Sequence, residues 1–143
     1  MQVRRITTDA DLEAALAIRH TVFVLGQNVP ADLEHDAHDR TDATHYLALT
    51  AAGQPCGAAR WRLTEAGVKL ERFAVLAEYR NQQAGAALLT AVLRDVQVAH
   101  PAALVYLSAQ LPAVRFYERH GFAKAGDLFE EAGIGHYKMS WQG

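Results

Sequence analysis

Val75-Leu76-Ala77-Glu78-Tyr79-Arg80-Asn81-Gln82-Gln83-Ala84-Gly85-Ala86-Ala87-Leu88-Leu89 is the stretch on which the fold turns. An apolar, β-like run enters a turn of small and polar residues, and the turn opens a helix. That helix shows in Leu88, Leu89, Val92, Leu93 and Val96, which repeat at helical spacing while Arg94, Asp95 and Gln97 fall outward. His100-Pro101 ends it, because the residue before a proline is pushed out of the helical region. The apolar run Leu104-Val105-Tyr106-Leu107 follows, the pattern of a buried strand paired in parallel. A helix opening straight after a strand offers free backbone N–H groups and its positive dipole end to an anion. Arg80 adds a fixed charge. Gly85 and the alanines beside it let a ligand approach the backbone. The turn thus reads as a diphosphate cradle. The competing reading is that its small residues only ease helix–sheet packing.

Working outward, the preceding strand Val68 to Leu76 has a defect in its pattern. Val68 and Leu70 share one face, whereas Phe73 and Val75 share the other. One extra residue near Glu71-Arg72, a β-bulge, would slip the phase and reconcile them. Burial on both faces would need no slip. Earlier still, His45 to Thr50 and Gly57 to Leu63 read as strands of antiparallel hairpins. Ala59, Trp61 and Leu63 share one face, with Arg60 and Arg62 on the other. Val3 to Thr7 reads as a first strand. Thr8 or Asp9 can cap a helix carrying Leu12, Ala15, Leu16, Ile18, Val22 and Phe23. Gly26 to Asp42 loses that period and reads as a loop with a short helix. Downstream, Pro112 suits a first helical position and Gly121 a left-handed cap, with a helix from Ala113 to His120 between. The tail alternates, Tyr137, Met139 and Trp141 against His136, Lys138 and Ser140. The order β-α-(α)-β-β-β-α-β-α-β-β describes one α/β domain, residues 1–143. Its mixed sheet is antiparallel at first and parallel around the third helix.

Composition narrows the classes. Half of the 143 residues are apolar and 21% are charged, which excludes disorder and low complexity. A net charge of −2 argues against a general nucleic-acid binder. No run approaches the ~18 to 20 apolar residues that span a bilayer. Met1 to Ile6 leads into acids rather than an apolar stretch, so no signal peptide is expected. The single cysteine, Cys56, allows no intrachain disulfide and fits a cytoplasmic protein.

The Val75–Leu89 segment resembles motif A of the GCN5-related N-acetyltransferases (GNAT family), Gln/Arg-x-x-Gly-x-Gly/Ala. Arg80 stands at its first position and Gly85 at its last, and Gln83 replaces its first glycine. A glutamine in a backbone conformation of positive φ is strained. Ala113-Val114-Arg115-Phe116-Tyr117-Glu118-Arg119-His120-Gly121-Phe122 resembles the second signature of the family. Arg19-x-x-Val22-Phe23-Val24, Gln27-x-Val29-Pro30, Leu33-Glu34-x-Asp36-x-x-Asp39, His45 and Phe129-x-Glu131-Ala132-Gly133-Ile134-x-His136 resemble its ElaA/YjcF-like branch.

The resemblance implies a GNAT fold that moves an acetyl group from acetyl-CoA to a primary amine by direct attack. It implies that backbone amides from Arg80, Asn81, Gln82, Gln83, Ala84, Gly85 and Ala86 hold the pyrophosphate. Phe73, Ala74 and Val75 would lie along the pantetheine arm on a bulged strand. Tyr117 would protonate the departing thiolate. A base must also take the amine proton. Glu71, beside the suspected bulge, is the first candidate. Glu34, Glu131 and His136 are rivals, and a water chain is a further route. Glu34 and Glu131 also stand as acceptor-binding residues. The acids Asp32, Glu34, Asp36, Asp39 and Asp42 would favour a cationic amine, from a small molecule or a protein. His35, His38 and His45 among those acids invite a zinc reading, but a solvated polar loop is the better expectation, with no metal. No nucleic-acid or membrane partner is expected, and the family often forms homodimers. A non-catalytic acyl-CoA-binding or sensing domain is the alternative.

Overall fold

The chain begins at the rim of a sheet and crosses it. A computed structural model describes residues 1–143. β1 (Gln2–Arg5) pairs antiparallel with β2 (Thr44–Leu49), and β2 continues through β3 (Pro55–Thr64) to β4 (Gly67–Val75), each antiparallel to the last. The chain then crosses through α3 (Ala84–Ala99) to β5 (Val105–Gln110), which is parallel to β4. β8 (Ile134–Trp141) pairs antiparallel with β5, and both β6 (Phe122–Lys124) and β7 (Phe129–Glu131) pair with β8. The spatial order is β1-β2-β3-β4-β5-β8-β6. α1 (Asp9–Arg19), α2 (Ala31–Glu34) and α4 (Val114–Arg119) complete the elements. This is the expected mixed α/β sheet, with β7 added. Three residues are too few to show a period of two.

Strand alternation sorts the core onto two faces. Tyr46, Ala48, Ala59 and Trp61 meet Leu88, Leu89, Val92 and Val96 of α3. Leu47, Leu49, Ala58 and Ala74 meet Ala15, Ile18 and Val22 from α1 and the turn after it. Thr8 caps α1, its Oγ1 accepting from Asp11 N at 3.2 Å. The helix then loosens into a π-helical turn, His20–Leu25, instead of ending. Such wide turns are rare and recur at functional sites.

The face with Ala58 also carries Arg60, on the side opposite Ala59 and Trp61 as the alternation predicts, and that arginine is buried. Arg60 is 0% exposed and Arg19 only 1%. Residues 34–39 fold over them and supply carboxylates. Arg19 Nε donates to both Glu34 oxygens at 3.1 Å, and its Nη1 to Asp39 Oδ1 at 2.6 Å. Arg60 Nη1 donates to Asp36 and Asp39 at 2.7 Å each, and its Nη2 to Glu71 at 3.0 Å. Arg72 Nε lies 3.0 Å from Glu34 Oε2. His45 Nε2 donates to the Asp39 carbonyl at 3.0 Å. Within the stretch expected to be a solvated acidic loop, Glu34 and Asp39 are therefore buried and Asp36 half-buried, while Asp32 and Asp42 stay exposed. No fully buried polar side-chain atom lacks a hydrogen-bond partner, the condition under which a buried ion network is tolerated. Hydrogen bonding from Arg60 holds the Asp36 carboxyl far below its ordinary value. Burial pushes the Asp39 and Glu71 carboxyls up, but the arginines around them outweigh it and hold both low.

Candidate active site

β4 and β5 part company midway. Their parallel pairing covers only Val68 to Leu70 against Val105 to Leu107, although β4 runs on to Val75 and β5 to Gln110. Beyond Leu70 the backbone edge of β4 that faces β5 has no strand partner. On its other edge β4 slips register against β3. Arg60 pairs with Glu71 but Ala58 with Ala74, so Arg72 and Phe73 stand opposite the single residue Ala59. Arg72 takes φ 59°. This is the bulge that the phase slip at Glu71-Arg72 called for. A left-handed arginine is strained, and its side chain holds it there. Arg72 Nε donates to the Glu34 carbonyl and Nη2 to the Leu33 carbonyl, both at 3.2 Å.

The parted strands open a cavity of about 480 Å³. Phe73, Ala74, Val75, Arg80, Tyr117, Glu71, Glu34, Glu131 and His136 all border it. Asn81, Gln82, Ala84, Gly85 and Ala86 do not. They form the turn and first helical turn of α3, past the end of β4. Gln83, the N-cap of α3, has φ 68°, so the expected strain is present. Gln83→Gly is expected to stabilise the fold by about 0.5–1 kcal/mol, relief of the left-handed strain exceeding the entropy cost of glycine. Urea unfolding of the two proteins checks this. Gly85 packs beside α4, since a Cβ there would lie 3.5 Å from the Phe116 ring. Arg80 Nε donates to the Val75 carbonyl at 3.2 Å, which sets an exposed guanidinium at the mouth of the cleft.

Three site residues differ sharply in what they can do. Tyr117 is buried against Phe73, Phe116 and Phe122, its ring edge-on to each. Its hydroxyl has no protein hydrogen-bond partner, and the residue borders the cavity. Burial raises its pKa well above the usual phenol value, so it stays protonated as a donor. His136 Nδ1 lies 2.7 Å from the Ile134 carbonyl. A carbonyl can only accept, so in the neutral ring Nδ1 carries the proton and Nε2 a free lone pair. The ring stacks on Phe129 at 22°. Glu71 is different. Arg62 Nε donates to it at 2.8 Å, Arg60 Nη2 does so at 3.0 Å, and Lys69 Nζ stands 3.5 Å away. A carboxylate so held resists protonation. Glu34 borders the cavity but is 2% exposed, with both oxygens taken by Arg19. Its carboxylate is spent on the fold. Glu131 is exposed near the tip of the β7–β8 hairpin and makes no ion pair.

The histidines of the acidic stretch do not converge. His38 Nδ1 meets Asp42 at 2.7 Å, His35 lies beside Glu34 at 3.4 Å, and His45 sits on Asp39. No three His, Cys, Asp or Glu residues are grouped to hold a metal ion. Cys56 is buried, its Sγ 3.5 Å from both the Ala48 carbonyl and Met1 Sδ. Gln110 and Ser108 also line the cavity, and sequence reading passed them over. Their signal was there: two polar residues on alternate positions of an apolar strand.

This cleft between parted parallel strands, with a bulge on one and a helix start beyond it, defines a class. The model of the GNAT acetyltransferase domain matches residues 7–142, and the chain belongs to that family. It is similar to the uncharacterized N-acetyltransferase YjcF of Bacillus subtilis (strain 168), 33% identical over 92% of both chains. The crystal structure of Escherichia coli ElaA superposes with a TM-score of 0.87, at 28% identity, covering 99% of this chain and 100% of the other. An acyl-CoA N-acyltransferase from Pseudomonas aeruginosa superposes at 0.85, also 28% identical, covering 98% and 97%. No helix is long and apolar enough to cross a membrane.

Proposed function

We propose that the protein transfers an acetyl group from acetyl-CoA to a primary amine, in a complex holding both substrates at once. The observation that carries this reading is the unpaired edge of β4 from Glu71 to Val75, with a protonated, unbonded tyrosine, Tyr117, packed on its Phe73. An extended amide-bearing arm fits such an edge, because backbone groups supply directional hydrogen bonds. Phe73, Ala74 and Val75 would hold the arm. Arg80 and the backbone amides from Asn81 to Ala86 would hold the phosphates. Acetyl-CoA supplies the activated thioester.

The chain does the rest. Backbone N–H groups freed at the bulge are donors for a carbonyl oxygen. His136 Nε2 takes a proton from the attacking amine, and Tyr117 offers its proton to the departing sulfur. Glu131 stands at the acceptor side, and much of the acceleration comes from holding the two reactants together. The acceptor, a small molecule or a protein amine, enters between the π-helical turn and the β7–β8 hairpin. A single buried thiol suits a reducing compartment, the cytoplasm. Acetyl-CoA should bind in calorimetry, and a thiol-release assay across a panel of primary amines should show turnover. Binding without turnover on any amine would overturn the catalytic reading.

A further inference from the structure

Inside this cavity one contact joins segments 83 residues apart in the chain. Gln27, just past the π-helical turn, and Gln110, at the end of β5, join their side-chain amides reciprocally. Gln110 Nε2 donates to Gln27 Oε1 at 2.8 Å, and Gln27 Nε2 to Gln110 Oε1 at 3.1 Å. Both residues border the cavity and are half-buried. Exchanging O and N in both amides leaves the same pairing, so the arrangement does not depend on amide orientation. Each amide uses one N–H and one lone pair on its partner. Each keeps one N–H and one lone pair, and neither side chain has another protein partner. The pair therefore shows the cavity two donors and two acceptors, all uncharged.

Its position gives this meaning. Gln110 is directly opposite His136 across the β5–β8 ladder. Side chains so placed project to the same face with Cβ atoms ~4.5–5.5 Å apart. The walls nearby are apolar, from Val22, Phe23, Val29 and Leu33. We infer that Gln27 and Gln110 form a recognition element for a neutral amide carried next to the acceptor amine. The acceptor class is then an α-amino amide or peptide-like amine with an apolar side chain. The carbonyl of such a group accepts from one glutamine N–H, and its own N–H donates to one glutamine oxygen. A carboxylate in the same place would face those oxygens with no proton to share. A simple alkylamine would leave the amides unmatched. This reading rests on the proposed acetyltransferase activity.

The test compares L-phenylalaninamide, L-phenylalanine and 2-phenylethylamine as acceptors with acetyl-CoA, taking kcat/KM per free-base amine. The amide is expected to lead each of the others by about tenfold or more, the worth of two neutral hydrogen bonds. In Gln27→Leu and in Gln110→Leu the lead should fall to about one. A lead near one in the unaltered protein overturns the inference. So do variants that melt at lower temperature yet keep the lead, because the pair is then only a clip between two segments. If none of the three is acetylated while another amine is, the amide inference falls and the activity stands. If no amine at all is acetylated, both fall together.

Discussion

Tyr117→Phe is expected to lower kcat by about 100-fold or more while leaving acetyl-CoA affinity and unfolding midpoint close to the starting values. The change removes one oxygen and no packing. Phe keeps the edge-on contacts with Phe73, Phe116 and Phe122. The lost hydroxyl bonds to no protein group, so the fold has little to lose. The proposed chemistry loses its only donor placed for the departing sulfur, and a positioned general acid is worth roughly 10²- to 10⁴-fold. Steady-state thiol release, calorimetry and urea unfolding separate the three quantities. Unchanged turnover would remove Tyr117 from the mechanism. A large drop in unfolding midpoint would make the residue structural.

The second large effect concerns stability. Arg60→Ala is expected to cost about 3–5 kcal/mol, the usual penalty for removing one partner from a buried ion pair. Asp36, Asp39 and Glu71 would then crowd one another without their shared cation. The dependence on pH supplies an independent check. All three carboxyls are held below their ordinary values in the folded state. Their contribution is complete above the unfolded value of about 4 and is lost as pH falls through and below it. The unaltered protein should therefore lose stability on acidification. In Arg60→Ala the folded values rise, so the gap between the two proteins should narrow as pH drops. Urea midpoints at pH 7 and at about pH 3, below the unfolded carboxyl value, measure both effects. A midpoint near that of the unaltered protein at pH 7 would contradict the structural role of the network.

What could be read in advance follows the range of the interactions involved. The α3 stripe, the left-handed Gly121 and the bulge at Glu71-Arg72 rest on local periodicity or on one residue's backbone freedom. All three are present, Gly121 with φ 91°. The buried arginines were not legible. Arg60 alternates with Ala59 and Trp61 as an outward residue would, and its carboxylates come from segments 11 to 24 positions away along the chain. The pattern Leu33-Glu34-x-Asp36-x-x-Asp39 was read as a solvated, acceptor-facing surface for the same reason. It is the counter-charge to Arg19, Arg60 and Arg72. In the site, residue types narrowed the base to four candidates. Only the hydrogen bonds around Glu71 and His136 tell a committed carboxylate from an available ring nitrogen.

The parting of β4 from β5 has a consequence for how the protein behaves in a crowded solution. Unpaired strand edges invite other chains to add on, and proteins blunt them by shortness and charge. Both outer rims here are blunted. β1 has four residues, two of them Arg4 and Arg5, and β6 has three with Lys124 at its end. The unpaired edge of β4, from Glu71 to Val75, lies within a cleft instead of along the perimeter. A neighbouring protein's strand meets walls there on both sides, whereas a slender arm can slip in. The sheet thus keeps a sticky edge without the aggregation hazard such an edge would carry at the rim.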